Sequence, residues 1–147
     1  MNTVIGWVGV GSMGSRMAAN LSKGGYPLII SDKISTEAAP EDVQIAKNNQ
    51  ELARKAELVI FSVPAGPDTL TIAKEFINTP DSIVKTVIDT STIGIPHAKE
   101  AFELFKSHGI EYIDAPVSGG IAGAEAGTLA VMVGCQLDIL NKFKTIL

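Results

Sequence analysis

The segment Gly9-Val10-Gly11-Ser12-Met13-Gly14 limits what this chain can fold into more than any other. It follows an apolar run, Val4-Ile5-Gly6-Trp7-Val8, and leads into a helical pattern, Arg16-Met17-Ala18-Ala19-Asn20-Leu21. Strand, glycine turn and helix in that order open a βαβ unit suited to a dinucleotide. The three glycines have separate tasks. Gly9 allows the tight turn, Gly11 lets backbone approach a pyrophosphate, and Gly14 lets helix and strand pack closely. The start of the helix then aims free N–H groups at the phosphates. A second apolar run, Leu28-Ile29-Ile30, is followed by Asp32 at roughly the twenty-residue offset where such units hold the adenosine ribose. Glycines kept only for a tight βα turn would not need that carboxylate. Gly9, Val10, Gly11, Ser12, Met13, Gly14, Asp32 and the neighbouring Lys33 are therefore the candidate cofactor contacts of the first half.

Composition fits one globular domain. The chain has 147 residues, 46% of them hydrophobic and 19% charged, enough to bury a core and too apolar for a disordered segment. A net charge of −4 argues against a nucleic-acid surface or a polybasic membrane patch. Cys135 is the single cysteine, so no internal disulfide forms, and no Cys/His cluster offers a metal site. No apolar stretch reaches the ~20 residues that span a bilayer. The N-terminus runs straight into a strand with no basic leader. The expectation is a soluble, cytoplasmic protein.

Apolar runs at 4–8, 28–31, 58–63, 86–89, 111–114 and 129–133 read as strands. Several are nearly continuous, as strands covered on both faces are. Helical patterns lie between them at 13–23, 50–55, 68–77, 96–107 and 137–147. Pro96 suits a first helical turn. Gly109 suits a helix end, and Asn48 or Asn49 a helix cap. Residues 34–42 contain Pro40 and show no helical pattern, so a loop and a brief strand at 43–46 are expected there. Alternating strands and helices imply an α/β Rossmann-type fold: a doubly wound, mainly parallel sheet with helices on both faces.

Three more segments follow strand ends, where such sheets bind ligands. Ser62-Val63-Pro64-Ala65-Gly66-Pro67 is forced into an extended turn by its prolines. Asp89-Thr90-Ser91-Thr92-Ile93-Gly94 is a hydroxyl-rich loop entering a helix, where Ser91 and Thr92 are either ligand contacts or caps. Asp114-Ala115-Pro116-Val117-Ser118-Gly119-Gly120 is followed by the small-residue run at 122–129; its open N–H groups suit an anion such as a carboxylate.

With these segments together the chain resembles the β-hydroxyacid dehydrogenases, the family of 3-hydroxyisobutyrate dehydrogenase and tartronate semialdehyde reductase. The glycine motif with Met17-Ala18-Ala19-Asn20-Leu21 is similar to the family's cofactor fingerprint. Asp114–Gly120 resembles its substrate signature, and Gly127-Thr128-Leu129 with Val131-Met132-Val133-Gly134 resembles the strand that follows. The resemblance implies hydride transfer between NAD, with NADP as the alternative, and a small carboxylate substrate of the 3-hydroxy acid class. It implies Val63, Pro64 and Thr92 on the nicotinamide side and Ser118, Gly119 and Gly120 on the substrate carboxylate. It also implies a catalytic lysine, with a nearby asparagine, on a helix beyond Leu147 that leads to an all-helical second domain. No catalytic residue is thus assigned within the chain, and Lys142 and Lys144 precede the implied position. Gly134-Cys135 stands where the family carries two glycines, and the short 34–42 segment departs from its adenine pocket. Imine reductases and 6-phosphogluconate dehydrogenase-like enzymes are close alternatives, and a non-catalytic nucleotide-binding or regulatory module is the alternative from another class.

Other residues are read plainly. Trp7 is a core side chain. His97 and His108 share one helical pattern without partners and are expected at the surface. Glu125 is expected in solvent. The apolar positions of 137–147 could leave a sticky surface, so homo-oligomer formation is an expectation.

Overall fold

The computed structural model describes residues 3–147. Its strands are β1 (Ile5–Val8), β2 (Leu28–Ser31), β3 (Gln44–Ile45), β4 (Leu58–Phe61), β5 (Thr86–Asp89), β6 (Glu111–Asp114), β7 (Val117–Ser118) and β8 (Ala130–Val131). The first six form one sheet in the order β3-β2-β1-β4-β5-β6, with every neighbouring pair parallel. Strand order reverses between β1 and β4, which opens a crevice beyond their C-terminal ends. The helices are α1 (Gly14–Lys23), α2 (Asn49–Ala53), α3 (Gly66–Ile77), α4 (Gly94–Lys106), α5 (Gly120–Ala126) and α6 (Leu137–Phe143).

Both sheet faces are buried, which is why the strands read as unbroken apolar runs. One face presents Ile29, Val59, Phe61, Val87 and Tyr112 to Leu52 of α2, Phe76 of α3 and Phe105 of α4. Phe61 meets Phe76 edge-on at 5.6 Å, and Phe105 stacks on Tyr112 at 5.5 Å. The other face presents Ile5, Trp7, Leu28, Ile30, Ile60, Ile88 and Ile113 to Ala18 of α1 and, more loosely, to Ile139 and Phe143 of α6.

The expected caps form. Asn48 accepts from the Glu51 N–H at 2.8 Å, while Glu51 reaches back to the Lys47 N–H. Pro96 lies in the first turn of α4, and Gly109 follows that helix at φ 70°. Residues 34–42 form turns without a helix.

Three expectations need correction. Residues 129–133 do not join the parallel sheet. Only Ala130–Val131 is a strand; it pairs antiparallel with β7, and an Asp114–Gly134 bridge ties this small sheet to the end of β6. The small-residue run after Gly119, which lies outside every helical pattern read from the sequence, forms α5, whose Gly123 and Ala124 are buried. Residues 62–63 lie past the end of β4 and belong to the crevice instead.

Candidate functional site

The glycine loop is set by backbone contacts on two sides of one opening. Gly9 has φ 97°, and a Cβ there would stand 2.1 Å from the Ser62 carbonyl oxygen. A Cβ on Gly14 would stand 2.1 Å from the Gly9 carbonyl oxygen. Any side chain at either position would push the loop off the sheet. Gly11 is the opposite case: a Cβ there meets nothing within 4 Å. The loop is further anchored by the Gly9 N–H donating to Ser31 O at 3.0 Å and by the buried Trp7 Nε1 donating to Gly9 O at 2.8 Å. Met13, the N-cap of α1, supplies no side-chain acceptor, so although the Ser15 N–H is taken by Gly11 O at 3.0 Å, the helix start still offers donors to an anion. Space at Gly11 and donors at the helix start together fit a pyrophosphate.

Asp32 follows β2 and is half-buried. Its Oδ2 accepts from the Val10 N–H at 2.8 Å, and its Oδ1 accepts from Ile34 N–H at 2.8 Å and Ser35 N–H at 3.1 Å. The carboxylate is thereby fixed beside the glycine loop, as its spacing required. Lys33 is exposed.

The loops after β4 and β5 form the other side of the crevice. Pro64 and Thr92 are exposed and Val63 is half-buried. The Val63 N–H donates to Ser91 Oγ at 2.9 Å, which joins the two loops. Ser91 is therefore neither a helix cap nor an exposed ligand contact but an internal tie. Its own N–H donates to Asp89 Oδ1 at 3.0 Å, while Thr69 and Tyr112 hydroxyls donate to Asp89 Oδ2 at 2.8 and 3.0 Å. Asp89 has no exposed surface. Burial pushes its carboxyl above the usual carboxylate range, opposed by the hydrogen bonds from Ser91, Thr69 and Tyr112. Asp114 is raised too, by burial and then by the Asp89 charge. Sequence reasoning missed this cluster. The signals it offered were an acidic residue closing the strand run Thr86-Val87-Ile88 and the hydroxyl-rich loop after it, neither of which reveals Thr69 or Tyr112 as partners.

Ser118, Gly119 and Gly120 are exposed where β7 turns into α5. α5 docks on α1: Asn20 Nδ2 donates to Ala124 O at 2.7 Å. Arg16 Nη1 donates to Ser12 O at 2.7 Å and its Nε lies 3.8 Å from Glu125. Glu125 is exposed as expected, yet it pairs with the helix that bears the glycine loop. His108 is exposed, but His97 is half-buried: a Cβ on Gly66 would come within 2.2 Å of its ring. Lys142 and Lys144 are exposed at the end of α6. Among the described residues no His, Cys, Asp or Glu cluster could hold a metal ion, and no helix is long and apolar enough to cross a membrane.

A family model described as the NAD binding domain of 6-phosphogluconate dehydrogenase matches residues 4–147. The chain is 33% identical to 2-(hydroxymethyl)glutarate dehydrogenase of Eubacterium barkeri, over 97% of this chain and 49% of that protein. It is 37% identical to mitochondrial 3-hydroxyisobutyrate dehydrogenase of Mus musculus, over 90% of this chain and 41% of that protein. Among solved structures, 3-hydroxyisobutyrate dehydrogenase of Mycobacterium tuberculosis with L-serine superposes with a TM-score of 0.90 at 34% identity, over 99% of this chain and 51% of that one. The chain thus spans about half the length of the curated relatives it matches.

Proposed function

Because the chain belongs to the β-hydroxyacid dehydrogenase family through this NAD-binding domain, we propose that it forms the cofactor half of an enzyme moving hydride between NAD and a small 3-hydroxy acid of the 3-hydroxyisobutyrate type. The observation that carries this reading is the open space at Gly11, framed by the close contacts of Gly9 and Gly14 and flanked by the fixed Asp32 carboxylate. When bound, the cofactor supplies the hydride chemistry. The chain's residues bind and orient. Gly9 to Gly14 cradle the pyrophosphate. Asp32 takes the ribose hydroxyls and disfavours a 2′-phosphate, so NAD is preferred to NADP. Val63, Pro64 and Thr92 line the nicotinamide side, and Ser118, Gly119 and Gly120 receive the substrate carboxylate. The proton-transfer lysine comes from outside residues 1–147, as the family resemblance implies.

The test has two readouts. NADH titrated into the 147-residue polypeptide, followed through the fluorescence of Trp7, should show saturable binding. NADH production from 3-hydroxyisobutyrate and related 3-hydroxy acids should be absent in this polypeptide and present in a longer one carrying a lysine-bearing helix. Missing acid–base catalysis alone costs about 10²–10⁴-fold in rate. Robust turnover by residues 1–147 would place the acid–base group at Lys142, Lys144 or a histidine. Absence of NADH binding would refute the reading.

A further inference from the structure

Resting on that cofactor reading, we infer that Asp89 is a positioning residue which, acting through Ser91, sets the affinity for the nicotinamide half of the cofactor. Asp89 ends β5 at the crevice with no exposed surface. Three elements converge on it: Thr69 from α3, Tyr112 from β6, and the Ser91 N–H from the next loop. No lysine, arginine or histidine pairs with it among the described residues; hydrogen-bond donors alone hold the carboxylate. A purely structural site would not need such a group, since apolar side chains of similar volume stabilise a core at least as well.

The bonds run in one direction. Asp89 fixes Ser91, which is itself 5% exposed, so its hydroxyl cannot turn to water. Ser91 Oγ then fixes the Val63 N–H. Val63-Pro64 and Thr92 are the segments placed against the nicotinamide; Thr90, whose N–H and hydroxyl both donate to Phe61 O, and the Ser62 N–H bonded to Val8 O hold the strand ends, and the relay fixes the residues beyond them. The far end of the first loop is held separately, by the His97 ring packed on Gly66. The relay shares no hydrogen bond with the glycine loop or Asp32, whose own bonds include those with Ser31, Trp7, Val10, Ile34 and Ser35; the two meet only by packing, where Ser62 and Val63 lie against Gly9. The two halves of the site are therefore braced by separate hydrogen bonds, with packing at Ser62 and Gly9 as their one shared boundary.

Calorimetric titration with NADH and with ADP-ribose, which carries no nicotinamide, separates the halves. Ser91→Ala should weaken NADH binding about tenfold, the worth of one buried hydrogen bond, and leave ADP-ribose within about twofold. Ser91→Thr keeps the hydroxyl and should restore most of the difference. Tyr112→Phe should act in the same direction more weakly, and Asp89→Asn more strongly; melting temperatures show which variants remain folded. If Asp89→Asn does not fold, Ser91→Ala and Tyr112→Phe decide. Parallel loss of both ligands, or loss of neither, would overturn the inference while leaving the cofactor reading intact. A wild-type chain that binds neither ligand would overturn the cofactor reading and this inference with it.

Discussion

Substitutions at Gly11 and Gly14 should separate binding from folding, although both glycines belong to one six-residue motif. At Gly14 a Cβ would stand 2.1 Å from the Gly9 carbonyl oxygen, an atom that cannot swing aside. Gly14→Ala therefore forces α1 away from β1. Overpacking of this kind costs about 1–3 kcal/mol. At about 2–4 °C per kcal/mol for a domain of this size, the melting temperature should fall by about 2–12 °C. At Gly11 a Cβ meets nothing within 4 Å, and its φ lies outside the left-handed region. Gly11→Ala should melt at or slightly above the wild type, since removing a glycine from a compatible position stabilises by about 0.4–1 kcal/mol. Gly11→Val should change stability by no more than ~0.5 kcal/mol. Its side chain would fill the space assigned to the pyrophosphate. Losing two phosphate hydrogen bonds at about 1.5–3 kcal/mol each weakens binding at least ~100-fold. Thermal melts with NADH titration on all three variants provide the assay. Unchanged NADH affinity in Gly11→Val would remove the glycine loop from the cofactor site. A large melting loss in Gly11→Val would refute the claim that this position is open.

Two further outcomes follow from single residues. Asp32→Ala should narrow the preference for NADH over NADPH by about tenfold, ~1.4 kcal/mol, in paired titrations; because it also strips the acceptor from the Val10 N–H, both affinities fall and only their ratio is diagnostic, and an unchanged ratio would clear Asp32 of that role. Burial, then the charge and hydrogen bond of Asp89 and the charge of Asp114, raise the Tyr112 phenol above its ordinary value. The unfolded chain therefore releases this proton first, so the contribution to stability is complete below about pH 10 and is lost as pH rises beyond it. Its tyrosinate absorbance should emerge together with the loss of far-UV dichroism, and Tyr112→Phe should flatten the alkaline decline in stability; ionisation within an intact fold would refute the assignment.

What the sequence revealed, and what it hid, divides along the same line as the site. The cofactor half follows rules that act within the backbone over short spans. Gly9 turns, Gly14 admits a carbonyl, and Asp32 stands at the end of the next strand; each can be placed from spacing because strand, turn and helix have fixed dimensions. The strands were equally plain, since a sheet covered on both faces leaves unbroken apolar runs. α5 was hidden because Gly120, Gly123 and Gly127 mimic a loop, and its reason for being a helix is tertiary: Gly123 and Ala124 are small enough to bury beside α1, where Asn20 holds Ala124 O. The loop at 129–133 has a strand's composition but only two residues that pair, and their partner is the short β7. Asp89 was hidden for a related reason. Its partners Thr69 and Tyr112 lie 20 and 23 residues away, on a helix and a strand that only the folded sheet brings together. A carboxylate at a strand end is visible in sequence; that it is dry, held by three donors and tied through Ser91 to Val63 is not. The glycine loop can thus be recognised from its own residues, whereas the loops proposed to meet the nicotinamide depend on side-chain bonds between α3, β5, β6 and two loops. Substitutions far from the glycine motif, at Thr69 or Tyr112, are accordingly expected to alter nicotinamide binding without any change in the fingerprint itself.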